Sequence, residues 1–179
     1  YSLVTMIPDL KIGVAVLTNA ETGEVFSSIT NYIVDYLINA PKKEWLEAYK
    51  IVKQRGESNT SDFLAKLESE RNKTSVPSLP LSGYAGVFTD DWYGDIVIEL
   101  TGDKLIMKFS KTKVLAGELE HWQYNTFVVR WYDPELRADA FVNFHLTPSG
   151  KIDFVKMEAV SPDTDFSFDF HHLTLKPKK

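Results

Sequence analysis

"GELEHWQYNTFVVRWYDP", residues 117–134, gathers two Glu, the first His of the chain, two Trp, two Tyr and an Arg into eighteen residues. Glu118, Glu120 and His121 are residue types of general acid–base chemistry, in an aromatic setting of the kind that shifts pKa values. The same letters also read as two strands, Leu119–Trp122 and Thr126–Trp131, joined through Gln123-Tyr124-Asn125. Successive side chains of a strand point to opposite faces, so Glu118 and Glu120 share one face and His121 takes the other. A Glu–His dyad within one strand is then geometrically poor. The trio reads as surface and structural, with His121 hydrogen-bonded near a rim and Trp122 and Tyr124 flanking it.

The texture of this hairpin extends through everything beyond Gly83. Short runs are broken by Gly, Pro, Asn and Asp at intervals of about ten residues, the pattern of an antiparallel sandwich or barrel. The strands expected are Tyr84–Phe88, Asp95–Leu100, Lys104–Ser110, Lys113–Leu119, Thr126–Trp131, Ala138–Leu146, Ile152–Val160 and Phe166–Leu175. Short connections make successive strands neighbours, and such a meander closes most simply as a barrel, which removes its exposed edges. Alternation places Ile96, Ile98 and Leu100, then Leu105, Met107 and Phe109, then Phe127, Val129 and Trp131 inward, with Glu99, Lys108 and Arg130 outward. In "FSFDFHH" it puts Phe166, Phe168, Phe170 and His172 on one face and His171 on the other.

Upstream, Ser2–Met6 and Lys11–Thr18 flank a Pro8-Asp9 turn and form a plausible antiparallel pair. Val25, Ile29, Tyr32, Ile33, Tyr36 and Leu37 then recur at helical spacing. A second helix is expected from Pro41 to Gly56, with Trp45, Ala48, Tyr49 and Val52 on one side, and a third over Asp62–Arg71 with Ser61 as N-cap. Asn72–Gly83 has two Pro, three Ser and no periodicity, and reads as an extended linker. The division expected is residues 1–40, a connector and linker over 41–82, and the barrel over 83–179.

Composition narrows the function classes. Among 179 residues 44% are hydrophobic, enough for a sizeable core, and a net charge of −5 with scattered Lys and Arg gives no footprint for nucleic acid. No Cys is present, which excludes disulfides, thiolate metal sites and a thiol nucleophile. No run of eighteen apolar residues exists, so no membrane span is expected. The chain opens directly on strand-like sequence without a basic, apolar leader, and is read as a piece of something longer whose targeting segment lies upstream.

Two groups of motifs carry a resemblance. "LKIGVAVLTNAE" followed by an amphipathic helix resembles the end of the catalytic domain of serine β-lactamase-related, class C type penicillin-binding proteins, in which Asn19 transfers as a structural residue. "YAGVFTDDWYGDIVIE", "GELEHWQYNTFVVRW" and "DFSFDFHHLTLKP" resemble the accessory domain of unknown function often appended to those enzymes, which is similar to lipocalin-like barrels. The fold implied is mainly β with α: an eight-stranded antiparallel up-and-down lipocalin-like barrel preceded by a β-hairpin and amphipathic helices left over from the β-lactamase-like domain. The resemblance implies a partner in the upstream catalytic domain of the same chain and a periplasmic or extracytoplasmic location. The family's Ser-x-x-Lys, Tyr-x-Asn and Lys-Thr-Gly-like elements are expected to be absent, so no catalytic residue is assigned. Hydrolase activity is then expected of the parent and not of this chain.

An alternative is a ligand module holding a small apolar molecule against His121, Phe127, Trp131, Phe168 and Phe170. A barrel enzyme using His121 or His145 with a carboxylate is a more remote reading. The Asp90, Asp91 and Asp95 loop lacks the ligand spacing of a calcium-binding loop. Asp163, Asp165 and Asp169 with His171 and His172 are read as solvated, since adjacent His on a strand face opposite ways. Asp133, Glu135 and Asp139 are read the same way. No metal and no cofactor is expected. Residues 1–40, whose hydrophobic strands and helix face lack the parent sheet, are expected either to dock or to self-associate.

Overall fold

The structure, a computed structural model, describes residues 2–19 and 22–178 and divides into two compact units, up to Asp62 and from Phe63 onward. Ala20 and Glu21, which end the "LKIGVAVLTNAE" motif, lie outside the described residues.

In the first unit β1 (Ser2–Ile7) and β2 (Ile12–Leu17) pair antiparallel in the register Ser2 to Leu17 through Ile7 to Ile12, as their apolar runs predict. A single 3-10 turn over Pro8–Leu10 joins them, with Lys11 in the left-handed region at φ 53°. Helix α1 (Gly23–Leu37) packs against both strands. Its small polar residues Ser28 and Thr30 are buried, whereas Val25, Ile29, Ile33 and Tyr36 form an exposed stripe. Ser28 satisfies itself by donating to the Glu24 carbonyl at 2.6 Å.

The second and third helices expected from sequence are one, α2 (Trp45–Glu70). It starts four residues after Pro41 because tertiary bonds set its first turn. The Trp45 indole donates to Asp35 at 2.7 Å, and the Leu46 N–H donates to the Tyr32 hydroxyl at 3.3 Å. Gly56 does not end the helix. Its surroundings are open, so a helical Gly costs only about 1 kcal/mol relative to Ala there, and no left-handed cap forms. Ser61 is therefore mid-helix, and Val52 is exposed rather than part of a buried side.

The second unit carries an eight-stranded antiparallel sheet in the order β10-β3-β4-β5-β6-β7-β8-β9, an up-and-down meander that is nearly closed. Its strands are β3 (Gly86–Asp90), β4 (Gly94–Thr101), β5 (Lys104–Phe109), β6 (Ala116–Gln123), β7 (Thr126–Trp131), β8 (Ala140–Leu146), β9 (Ile152–Ala159) and β10 (Lys176–Pro177). The inward faces follow the alternation: Ile96, Ile98, Leu105, Met107, Phe109, Phe127, Val129 and Trp131 are all buried. Leu100 departs from it, exposed at the end of its strand. Lys108 reaches Glu99 on the outer face at 2.6 Å, and Arg130 reaches Glu120 and Asp139 at 3.1 and 2.7 Å.

Three expected strands are corrected. β3 begins after Tyr84 because Leu81–Tyr84 forms a 3-10 turn that buries the Tyr84 ring. β6 begins at Ala116, since the Leu115 N–H donates back to the Thr112 carbonyl and makes 112–115 a turn. Phe166–Leu175 is not a strand. The Asp165 carboxylate accepts from the Ser167 N–H at 2.9 Å, the Phe168 N–H reaches the Asp165 carbonyl, and Phe170–His172 winds into a 3-10 turn. These local bonds displace the period-two pattern, leaving Phe166 exposed and Phe170 buried.

Closure rests on a short seam. The two-residue β10 pairs with β3, and Leu175 and Val155 exchange both backbone bonds at 3.0 and 2.8 Å. Asp90 clasps this seam: its carboxylate accepts from the N–H groups of Trp92, Tyr93 and, across the gap, Thr174, at 2.9, 3.1 and 3.0 Å. Burial by itself raises the Asp90 carboxyl, but the Thr174, Trp92 and Tyr93 N–H bonds, with Lys156 nearby, outweigh it and hold it below the usual carboxylate range. A depressed carboxyl contributes stability above its unfolded pKa and loses it as pH falls through the folded value. Asp90→Asn is therefore expected to cost on the order of 1–2 kcal/mol at neutral pH. That gap should narrow as acid protonates the wild-type carboxylate, read as urea midpoints of the two proteins at neutral and acid pH.

Candidate functional site

The residues 117–134 that resemble an active site form a clamp. β6 and β7 pair from Gly117–Trp131 to Gln123–Thr126, with a bulge between His121 and Gln123, and the turn itself is Tyr124-Asn125. Tyr124 is left-handed at φ 49°, a conformation unusual for an aromatic residue. It is held on three sides: its N–H donates to Ser75 Oγ at 3.0 Å, its carbonyl lies 3.0 Å from His121 Nε2, and its hydroxyl accepts from Asn72 Nδ2 at 3.0 Å.

The stretch expected as an extended linker, with Arg71 before it, is the other half of this clamp. Arg71 donates to the carbonyls of Trp122 and His121 at 2.9 and 3.0 Å while its guanidinium covers the Trp122 ring at 4.4 Å. The Asn72 N–H reaches Gln123 Oε1 at 2.7 Å. Asn125 Oδ1 collects the Ser78 N–H at 3.0 Å and the Tyr84 hydroxyl at 2.5 Å. The side chains that looked available for chemistry are engaged elsewhere on the barrel: Glu118 pairs with Lys104 at 2.8 Å, Glu120 pairs with Arg130 at 3.1 Å, and His121 Nε2 lies 3.0 Å from the Tyr124 carbonyl.

The five proposed ligand-lining residues separate into two groups. His121 meets the edge of Phe127 at 5.4 Å, and Phe127 packs with Tyr84 and Phe144 at 4.9 and 5.6 Å. Trp131 lies four residues along β7, about 13 Å away at strand spacing. It stacks on Phe170 at 6.1 Å, which stacks on Phe168 at 5.7 Å. The Trp131 indole donates to the Ala138 carbonyl at 2.7 Å. Phe127, Trp131 and Phe170 are 1%, 6% and 3% exposed, so the barrel interior is filled by its own side chains. The space left beside Phe168 and Phe170 is about 130 Å³, bordered by Tyr93, Phe109, Leu115 and Asp169. Drug-sized ligands occupy roughly 300 Å³ or more. Burial, then the charges of Asp169 and Asp90, push the Tyr93 phenol up.

The expectation that no Ser-x-x-Lys spacing survives needs correcting, because Ser110-Lys111-Thr112-Lys113 has it. Both Ser110 and Lys113 are exposed in the turn between β5 and β6, not one helical turn apart, so the lysine is not placed as the partner of the serine. His145 stacks on Phe154 at 4.2 Å, and His121 Nε2 lies 3.0 Å from the Tyr124 carbonyl. Asp95 pairs with Lys178 at 2.6 Å and Asp90 holds the seam, so their carboxylates do not converge. Asn19 is exposed in a bend after β2.

One grouping was missed. Because 170–172 is a 3-10 turn, His171 and His172 do not point apart. Their ring centroids are 4.0 Å from each other, and with Asp169 they place three potential ligand atoms within 4.8 Å. The signal was present in the Ser161-Pro162-Asp163-Thr164-Asp165 run, whose turn chemistry argues against a strand starting at Phe166.

Among the described residues no helix is long and apolar enough to cross a membrane. A comparison with curated proteins finds no match. Among solved structures the chain is similar to the crystal structure of the C-terminal domain of penicillin binding protein Rv0907, at 19% identity over 61% of this chain and 94% of that one, with a TM-score of 0.45. Residues 70–177, the end of α2, the clamp segment and every strand of the barrel, match the family described as Domain of unknown function (DUF3471), and the chain belongs to that family.

Proposed function

We propose that this chain is a C-terminal, non-catalytic accessory portion of a serine β-lactamase-like hydrolase, in which the barrel shapes access to the active site or assembles the parent enzyme. The observation that carries this reading is in the first unit. Its two-stranded sheet buries one face under α1 and exposes Val4, Met6 and Leu17 on the other, while α1 exposes its own stripe of Val25, Ile29, Ile33 and Tyr36. Isolated two-stranded sheets are marginal in water, and such faces call for a larger sheet and further helices around them. The Leu-Thr-Asn strand and the helix after it are the elements that resemble the end of a β-lactamase-like domain. The upstream partner and an extracytoplasmic location belong to the same reading, and without that partner residues 1–40 are expected either to dock or to self-associate.

The filled barrel supports an architectural role over storage of an apolar molecule. The exposed Ser110-Lys113 turn supports the absence of acyl-enzyme chemistry here. The test compares hydrolysis of nitrocefin and of a D-amino-acid ester by the 179-residue chain and by the longer parent protein. Turnover only by the parent is expected; turnover by this chain alone overturns the proposal.

A further inference from the structure

Three features lie outside the clamp and the filled core: an open groove beside Arg130 and Arg137, the exposed faces of the first unit, and the Asp169, His171, His172 cluster. Asp139, which lines the groove, is paired with Arg130, and the exposed faces are accounted for above. The cluster stands apart because its donor set has a definite chemistry.

We propose that Asp169, His171 and His172 form a binding site for a first-row divalent cation, Zn²⁺ by preference. The backbone is built for it. Phe170 and Leu173, 3% and 1% exposed, anchor the turn in the core on either side of the two histidines. The His172 N–H donates to the Asp169 carbonyl at 3.0 Å, and the Leu173 N–H donates to that of Phe170 at 3.1 Å. Successive residues of a 3-10 helix are rotated by about 120°, against about 180° in a strand, so two adjacent imidazoles can converge only in the former. Tetrahedral ligands at about 2.0–2.1 Å from a zinc ion are roughly 3.3 Å apart. Ligand atoms already within 4.8 Å need only side-chain rotation to close to that spacing.

Two imidazole nitrogens and one carboxylate oxygen suit zinc and its neighbours and are poor for calcium or magnesium, which select oxygen. Three protein ligands leave a fourth position open. Asp169 and His171 also border a surface groove of about 580 Å³ with Phe166 and Asp165, so that position is accessible to water or a carboxylate-bearing molecule. The proposal is independent of the accessory role argued above.

The test is Zn²⁺ titration of the tag-free chain in competition with a chromophoric chelator, with Co²⁺ absorption reporting the coordination number. One equivalent is expected to bind, and His171→Ala or His172→Ala should each weaken binding by at least about 100-fold, with Asp169→Asn weakening it about tenfold or more. Both histidines are exposed, so these variants should fold, checked by their unfolding midpoints. The chain has only four histidines, and the His145→Gln variant should bind as the wild type does. No stoichiometric binding at micromolar metal, or wild-type affinity in either alanine variant, overturns the site.

Discussion

Gly117→Ala should cost about 3 kcal/mol or more. A Cβ on Gly117 would sit 2.2 Å from the Arg130 carbonyl oxygen, 2.7 Å from its carbon and 2.8 Å from the Trp131 Cα. All three are backbone atoms, so no side-chain rotation relieves the clash; β6 and β7 must separate where Gly117 pairs with Trp131. A glycine at a close backbone approach inside a strand is the recognised device for such a site. Gly56→Ala provides the contrast, since nothing lies within 4 Å of its added methyl and it sits in an exposed helix. That change should stabilise the first unit by about 0.5–1 kcal/mol. Urea unfolding of both variants reads the difference, and a Gly117→Ala midpoint within error of wild type would mean the strands are not so close.

Tyr84→Ala should lose about 3–5 kcal/mol, the usual cost of emptying a fully buried aromatic site. The Tyr84 ring is 0% exposed and meets Phe127 and Phe144 edge-on at 4.9 and 4.8 Å. Its hydroxyl has a separable role: it donates to Asn125 Oδ1 and accepts from the Leu79 N–H at 3.2 Å. Tyr84→Phe keeps the ring and removes only these bonds, for which about 1–2 kcal/mol is expected. Hydrogen exchange adds a local readout. In the Phe variant the amides of Ser78 and Leu79 should lose protection while those of β7 and β8 keep theirs. Uniform loss would show that the hydroxyl supports the whole barrel rather than the clamp.

The barrel was legible because five of its eight strands, β4, β5, β7, β8 and β9, carry apolar residues at every second position, and burial on one face enforces that period. Phe127-x-Val129-x-Trp131 and Leu105-x-Met107-x-Phe109 need no tertiary information to be read. Phe166-x-Phe168-x-Phe170 satisfies the same template and misleads, since the Asp165 carboxylate and the backbone carbonyls of Asp165 and Asp169 take up the N–H groups of Ser167, Phe168 and His172 in local bonds. The clamp was illegible for a different reason. The bonds between its two halves join residues 71–84 to residues 121–125, 41 to 52 positions later, and neither segment has a periodicity that names its partner. The helix boundary at Gly56 failed because a glycine stops a helix only where the chain turns left-handed, and the surrounding helix formers do not require that.

The short seam between β10 and β3 has a kinetic consequence. Every other pairing in the sheet joins strands adjacent in sequence, whereas Lys176 meets Thr89 across nearly the whole of the barrel's chain. Ring closure therefore carries the largest loop entropy of any step and returns the fewest backbone bonds, so it should come last in folding and reopen first. A barrel assembled this way spends its brief excursions as an open, curled sheet with β3 and β9 as free edges, and its vulnerability to edge-to-edge association is set by how often that one latch lifts.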